Sequence, residues 1–129
     1  MKNILITGGA GFIGSHVVKR FVNKYPNYNI YNVDSLTYAG NLNNLKDLKK
    51  KKNYFFFKIN INNHEEIFKL FFEKKITDVI HLAAESHVDK SIENSFEFAK
   101  TNVLGTLSLL EAAKSSWDLT VKNNLFYHI

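Results

Sequence analysis

Gly8, Gly11 and Gly14 stand three residues apart in "ITGGAGFIGS", between an apolar run and a stretch with helical periodicity. Residues without a Cβ at that spacing suit one chemistry: bringing bare backbone against an anion. Gly8 permits the tight turn out of a strand, and Gly11 lets a pyrophosphate approach the main chain. Gly14 lets the following helix pack close to the sheet. The start of that helix offers unpaired N–H groups and a partial positive charge. Twenty residues after Gly14, Asp34 ends the next apolar segment. A carboxylate there can accept from both hydroxyls of a ribose and repels a 2′-phosphate. Glycines alone mark turns everywhere, but with the strand, the helix and Asp34 in these places they point to a dinucleotide, NAD rather than NADP.

Other reactive side chains do not form a second centre. Tyr54 and Lys58 in "YFFFK" have the i, i+4 spacing of a helical acid–base pair. The stretch is apolar and aromatic, however, and reads as a strand, where the two side chains stand about 13 Å apart. His81, His87 and Asp89 do not fall at the paired i, i+4 spacing of a zinc site, so no metal is expected. His81 is expected inside a strand, and His64, ahead of two glutamates, at an exposed helix start.

The elements that must hold these residues alternate. "NILIT" (Asn3 to Thr7) reads as a buried strand, and Gly11 to Lys24 as a helix with Ile13, Val17 and Phe21 on its apolar face, stopped by Pro26. "NIYNVD" is a second strand ending at Asp34, and "SLTYAGNLNNL" a loop with a short helix. "NYFFFKI" is a third strand. The next helix runs from Asn63 to Glu73, with Asn63 and Glu66 at capping-box spacing and Ile67, Leu70 and Phe71 on one face. "DVIHLA" is a fourth strand. Asn94 and Glu97 open a further helix, with Phe96, Ala99, Val103, Leu107, Leu110 and Ala113 at intervals of three or four. "NNLFYHI" closes the chain with Leu125, Phe126, Tyr127 and Ile129, read as a buried fifth strand. Strand and helix in alternation imply an α/β fold: a doubly wound parallel sheet with helices on both faces.

Composition narrows the function classes. No apolar run approaches the roughly 18 residues of a membrane span, and the glycines in "MKNILITGGAGFIG" disqualify it as a signal peptide, so the start is read as mature protein. Without cysteine there are no disulfides or thiolate metal sites, and a cytoplasmic location is expected. The formal charge of +5 comes largely from "KDLKKKKN", Lys46 to Asn53. No aromatic alternates with that run and Arg20 is the only arginine, so a solvated loop is expected rather than a nucleic-acid surface.

With "GGAGFIG", three further stretches carry a family resemblance: "NVDSLTYAGNLNNL" (Asn32 to Leu45), "HLAAESHVDKSI" (His81 to Ile92) and "TNVLGTLSLLEAA" (Thr101 to Ala113). Over essentially its whole length the chain resembles the extended short-chain dehydrogenase/reductase family, and within it the dTDP-glucose 4,6-dehydratases more than the epimerases or decarboxylases. The resemblance implies a Rossmann-type domain over residues 1–129 and NAD as cofactor. Phe12 and Ile13 would touch NAD beside the glycines. Asp34, Ser35, Leu36 and Thr37 would hold the adenosine ribose and a nearby phosphate. Asn60 and Ile61 would lie at the adenine; Asn60 stands where the family usually has an aspartate accepting from the adenine amino group, which implies weaker NAD binding. Leu82, Ala83, Ala84 and Ser86 would line the nicotinamide side with Thr101, and Ser86 would also reach the substrate sugar.

The implied reaction moves a hydride from C4 of the glucose unit to NAD⁺, eliminates water across C5 and C6, and returns the hydride to C6. Its catalytic residues and its substrate domain are expected after Ile129, so the 129-residue chain is read as an N-terminal portion, of marginal stability and inactive alone. The longer enzyme is expected to be a homodimer. A non-catalytic NAD-binding module, or another member of the family such as a nucleotide-sugar epimerase, accounts for the same motifs.

Overall fold

A computed structural model describes residues 1–36, 42–83, 95–120 and 122–129. Five parallel strands form one sheet in the order β3-β2-β1-β4-β5: β1 Asn3–Thr7, β2 Asn29–Asp34, β3 Tyr54–Lys58, β4 Asp78–His81 and β5 Leu125–His128. The order reverses between β1 and β4, which places a crevice beyond their carboxyl ends.

Successive residues of β1 face opposite layers, as the two-residue period of a strand requires. Ile4 and Ile6 pack with Ile30, Val18 and Val22 beneath α1 (Phe12–Lys24), together with Leu45 and Leu48 of a 3₁₀ helix, Leu42–Leu48. Leu5, on the other side, packs with Val33, Val79, Ile67 and Phe71 beneath α2 (His64–Glu73). The Asn63 side chain accepts from the Glu66 N–H at 3.2 Å and caps α2. Leu109, Ala112 and Ala113 complete this layer from α4 (Thr106–Ser116), which follows a short α3 (Ser95–Ala99) and a wide π-helical segment, Lys100–Gly105. Asn94, expected as the cap of that helix, lies outside the described residues.

The structure corrects three expectations about what is buried. In α1 the core stripe is Val18 and Val22, while Ile13 is 66% exposed and Val17 and Phe21 flank the core. Over the last helical run most of the expected face points outward: Phe96, Ala99, Val103, Leu107 and Leu110 are exposed and Ala113 alone of it is buried as expected, while Gly105, Ser108, Leu109 and Ala112 face inward. Small residues let α4 lie close to α2; Leu109 is the one bulky side chain it buries, and Leu107 and Leu110 are left outside. Finally, β5 is an edge strand and not a buried one. Only Phe126 packs against the core, and Leu125, Tyr127 and Ile129 are exposed.

Candidate functional site

The turn between β1 and α1 is built against the end of β4. Gly8 has φ +73°, in the left-handed region that favours glycine, and a Cβ on it would lie 2.7 Å from the Ala83 backbone nitrogen. Its N–H donates to the Val33 carbonyl at 2.8 Å. Gly14 sits in the first turn of α1, where a Cβ would collide with the Gly8 carbonyl. The close approach that glycine allows here is therefore to the turn itself. Gly11 caps α1 without a side-chain bond, and Ser15 makes the first helical bond to its carbonyl at 2.9 Å. The N–H groups of the intervening turn therefore have no partner within the helix. Phe12 and Ile13, 80% and 66% exposed, flank that end.

Gly9 escaped the sequence reading although it abuts Gly8. A Cβ there would overlap the Asn32 side-chain oxygen, so Gly9 is held against β2 as tightly as Gly8 is against β4.

Asp34 lies at the carboxyl end of β2, 9% exposed, on the same side of the sheet as α1. One carboxylate oxygen accepts from the Ala10 N–H at 2.9 Å and the other from the Leu36 N–H at 2.8 Å. Each oxygen keeps a second lone-pair direction for a ligand hydroxyl. Leu36 adopts φ +57°, turning the chain so that its N–H faces back to Asp34. Ser35 and Leu36 are half-buried beside it, and Thr37 lies outside the described residues.

On the β4 side, Thr7 ties the two central strand ends together. Its hydroxyl oxygen accepts from the Leu82 and Ala83 N–H groups at 3.1 and 3.0 Å and lies 2.7 Å from Nδ1 of His81. His81 is 1% exposed, and its Nε2 lies 2.8 Å from Oγ1 of Thr106. Burial, aided by the His128 ring stacked at 4.9 Å, lowers the His81 pKa to about 4, so the ring is neutral near pH 7. Leu82 and Ala83 are half-buried at the crevice, while Ala84 and Ser86 lie outside the described residues. Thr101 is half-buried within the π-helical segment. Thr7, His81 and Thr106 were not singled out as crevice-building residues. The signal available was a polar residue ending each of two apolar strands.

Beyond β3, Asn60 is exposed and its side-chain oxygen accepts from the Asn62 N–H at 2.9 Å. That bond orients the amide with its nitrogen outward. Ile61 is a core residue with its side chain against Gly105, so that side chain is not offered to a ligand. Tyr54 and Lys58 occupy the two ends of the extended β3. Burial pushes the Tyr54 phenol up, opposed by a hydrogen bond with Asn32 and assisted by Asp34, which leaves it unsuited to act as a base. No group of three metal-ligating side chains occurs among the described residues, and His87 and Asp89 lie outside them. No helix among them is long and apolar enough to cross a membrane.

The family described as GDP-mannose 4,6 dehydratase matches residues 5–129. The chain belongs to this family. Within it, the chain is 47% identical to a dTDP-glucose 4,6-dehydratase of Neisseria gonorrhoeae, over 90% of the chain and 33% of that protein. The dTDP-glucose 4,6-dehydratase of Bacillus anthracis, crystallised with NAD, superposes with a TM-score of 0.79 at 43% identity, covering 89% of this chain and 34% of that one. A UDP-glucose 4-epimerase of Thermotoga maritima superposes with a TM-score of 0.78 at 38% identity, covering 88% and 34%. The chain thus spans about a third of the length of the curated dehydratases it resembles. A dehydratase and an epimerase both superpose on this sheet, so the fold does not itself choose between such activities.

Proposed function

We propose that the chain is the NAD-binding portion of a dTDP-glucose 4,6-dehydratase, the enzyme that converts dTDP-glucose to its 4-keto-6-deoxy derivative. The observation that carries this reading is the Asp34 carboxylate, buried beside the glycine turn with lone pairs left after its two backbone bonds. A ribose diol and a diphosphate are thereby offered partners at adjoining positions of one crevice. The turn suits such a ligand because it leads into the start of α1, where no side chain caps the helix and the first N–H groups have no helical partner. When bound, NAD⁺ supplies a hydride acceptor for the sugar's C4.

The chain's own residues bind and orient. The turn from Gly8 to Gly14 receives the diphosphate at the start of α1, with Phe12 and Ile13 beside it. Asp34, Ser35, Leu36 and Thr37 hold the adenosine ribose, and Asn60 with the Ile61 backbone lies at the adenine. Leu82, Ala83, Ala84, Ser86 and Thr101 form the nicotinamide side, and Ser86 reaches the sugar. The names of the Neisseria relatives favour a dehydratase over an epimerase, and their greater length favours catalytic and substrate-binding parts beyond this portion. The whole enzyme is read as a cytoplasmic homodimer, and residues 1–129 as its dinucleotide-binding domain.

Calorimetry tests the reading. Saturable NAD binding, weakened at least tenfold in Asp34→Ala, is expected, and no heat at millimolar NAD would reject it. Incubation of the isolated chain with dTDP-glucose and NAD⁺ is expected to give no 4-keto sugar. Sustained product from pure material would place the catalytic groups within these 129 residues.

A further inference from the structure

We propose that His81 is a positioning residue whose hydrogen bond to Thr106 pegs the wide helical segment Lys100–Gly105 to the end of β4, and so fixes Thr101, which the NAD reading assigns to the nicotinamide side.

The direction of every bond in this chain of contacts follows from counting donors. The Thr7 hydroxyl oxygen already accepts from the Leu82 and Ala83 N–H groups, so its own proton goes to Nδ1 of His81. The neutral ring must then carry its proton on Nε2, which donates to Oγ1 of Thr106 at 2.8 Å. Thr106 in turn donates its hydroxyl proton to the Asn102 carbonyl, four residues back, at 3.0 Å. One imidazole thus transmits the placement of β1 and β4 to a carbonyl inside the last helical run.

That carbonyl belongs to a segment that departs from α-helical register. The Thr106 backbone N–H donates to the Val103 carbonyl, and its hydroxyl reaches the Asn102 carbonyl. A hydroxyl bonded back by four residues bends helices, and wide turns are rare insertions that need support from outside the helix. Here that support comes from two sides. His81 holds Thr106 from the sheet, and Gly105 sits where a Cβ would lie 2.5 Å from Cδ1 of Ile61. Returning the segment to α-helical register would rotate the residues before Gly105 about the axis, carrying Thr101 with them.

The inference uses the NAD reading for only one of its two measurements. Backbone chemical shifts of the ¹⁵N,¹³C-labelled 129-residue chain report the register without ligand, and calorimetry with NAD reports the crevice. Thr106→Val should move the shifts of residues 100–105 to α-helical values and weaken NAD binding about tenfold, the effect of one lost hydrogen bond. Thr106→Ser, which keeps the hydroxyl, should leave both within about twofold of the parent. His81→Phe should behave as Thr106→Val; should that variant fail to fold, the two Thr106 variants decide. Parent-like shifts in Thr106→Val overturn the peg. Altered shifts with unchanged NAD affinity overturn its link to the crevice. If the parent chain binds no NAD, the proposed function fails, and the shifts alone decide the peg.

Discussion

The two flanks of the sheet are held together differently. On the β1–β2 flank every residue of β2 after Asn29 is buried, α1 and the 3₁₀ helix close one face, and the glycine turn is clasped by Asp34 and Val33. On the β4–β5 flank the helical run from α3 through α4 shows Phe96, Val103, Leu107 and Leu110 to solvent, and β5 exposes Leu125 and Tyr127. The comparison teaches that the end of the crevice formed by the glycine turn and Asp34 is self-supporting. The opposite end leans on a polar relay through His81 and leaves apolar surface uncovered. Uncovered strand edges and apolar patches favour association, so this flank is where self-association of the chain should begin.

Neighbouring positions on the last helix give the strongest test of that contrast. Leu109 is fully buried whereas Leu110 is 44% exposed. Leu109→Ala should cost about 2–5 kcal/mol in urea denaturation and Leu110→Ala no more than about 0.5 kcal/mol. Equal costs would mean that the helix presents its bulky face inward after all.

Next in size is an effect of pH. The pKa of His81 is about 4 in the fold against 6.5 for the free side chain, so the unfolded chain binds the extra proton. Its contribution to stability is complete above pH 6.5 and is lost as pH falls toward 4, to a total of about 3 kcal/mol. Denaturation midpoints at pH 7 and pH 4.5 should therefore diverge more in the parent chain than in His81→Asn. An identical pH response in both would remove His81 from the account.

On the well-buried flank, Gly8→Ala forces a side chain into the left-handed region and onto the Ala83 backbone, at a cost of about 1–3 kcal/mol. A variant as stable as the parent would show that the turn has room to relax. The smallest expected change is at the adenine end. Asn60→Asp keeps the bond from Asn62 and puts an acceptor where the amide nitrogen now points. NAD affinity should rise a few-fold, by less than about 1 kcal/mol; unchanged calorimetric affinity would separate Asn60 from adenine recognition.

Much of the β1–β2 flank was legible because its sequence signals are local. "NILIT", the glycine spacing and the terminal Asp34 each specify a geometry over a few residues, and the alternation of strands and helices implied a parallel sheet. The other flank hid its logic in side-chain size. The Phe96–Leu110 stripe has the periodicity of a core face, yet the close approach of α4 to α2 selects the small residues Ser108 and Ala112. Periodicity finds an apolar stripe without saying which of two stripes meets the sheet. The relay from Thr7 to Thr106 spans residues 99 positions apart, and no local pattern announces it. The placement of Thr37, Ala84 and Ser86 falls outside the described residues, so their assignment rests on resemblance.

The double attachment of Asp34 has a consequence for redesign. Re-engineering the pocket toward a phosphorylated ribose would ordinarily begin by exchanging this acid for a neutral or cationic side chain. Here the same exchange cuts the tether on Ala10 and releases the glycine turn. On the proposed reading, coenzyme preference and loop shape both depend on this one side chain, and a successful swap must bring in a new acceptor for the orphaned amide.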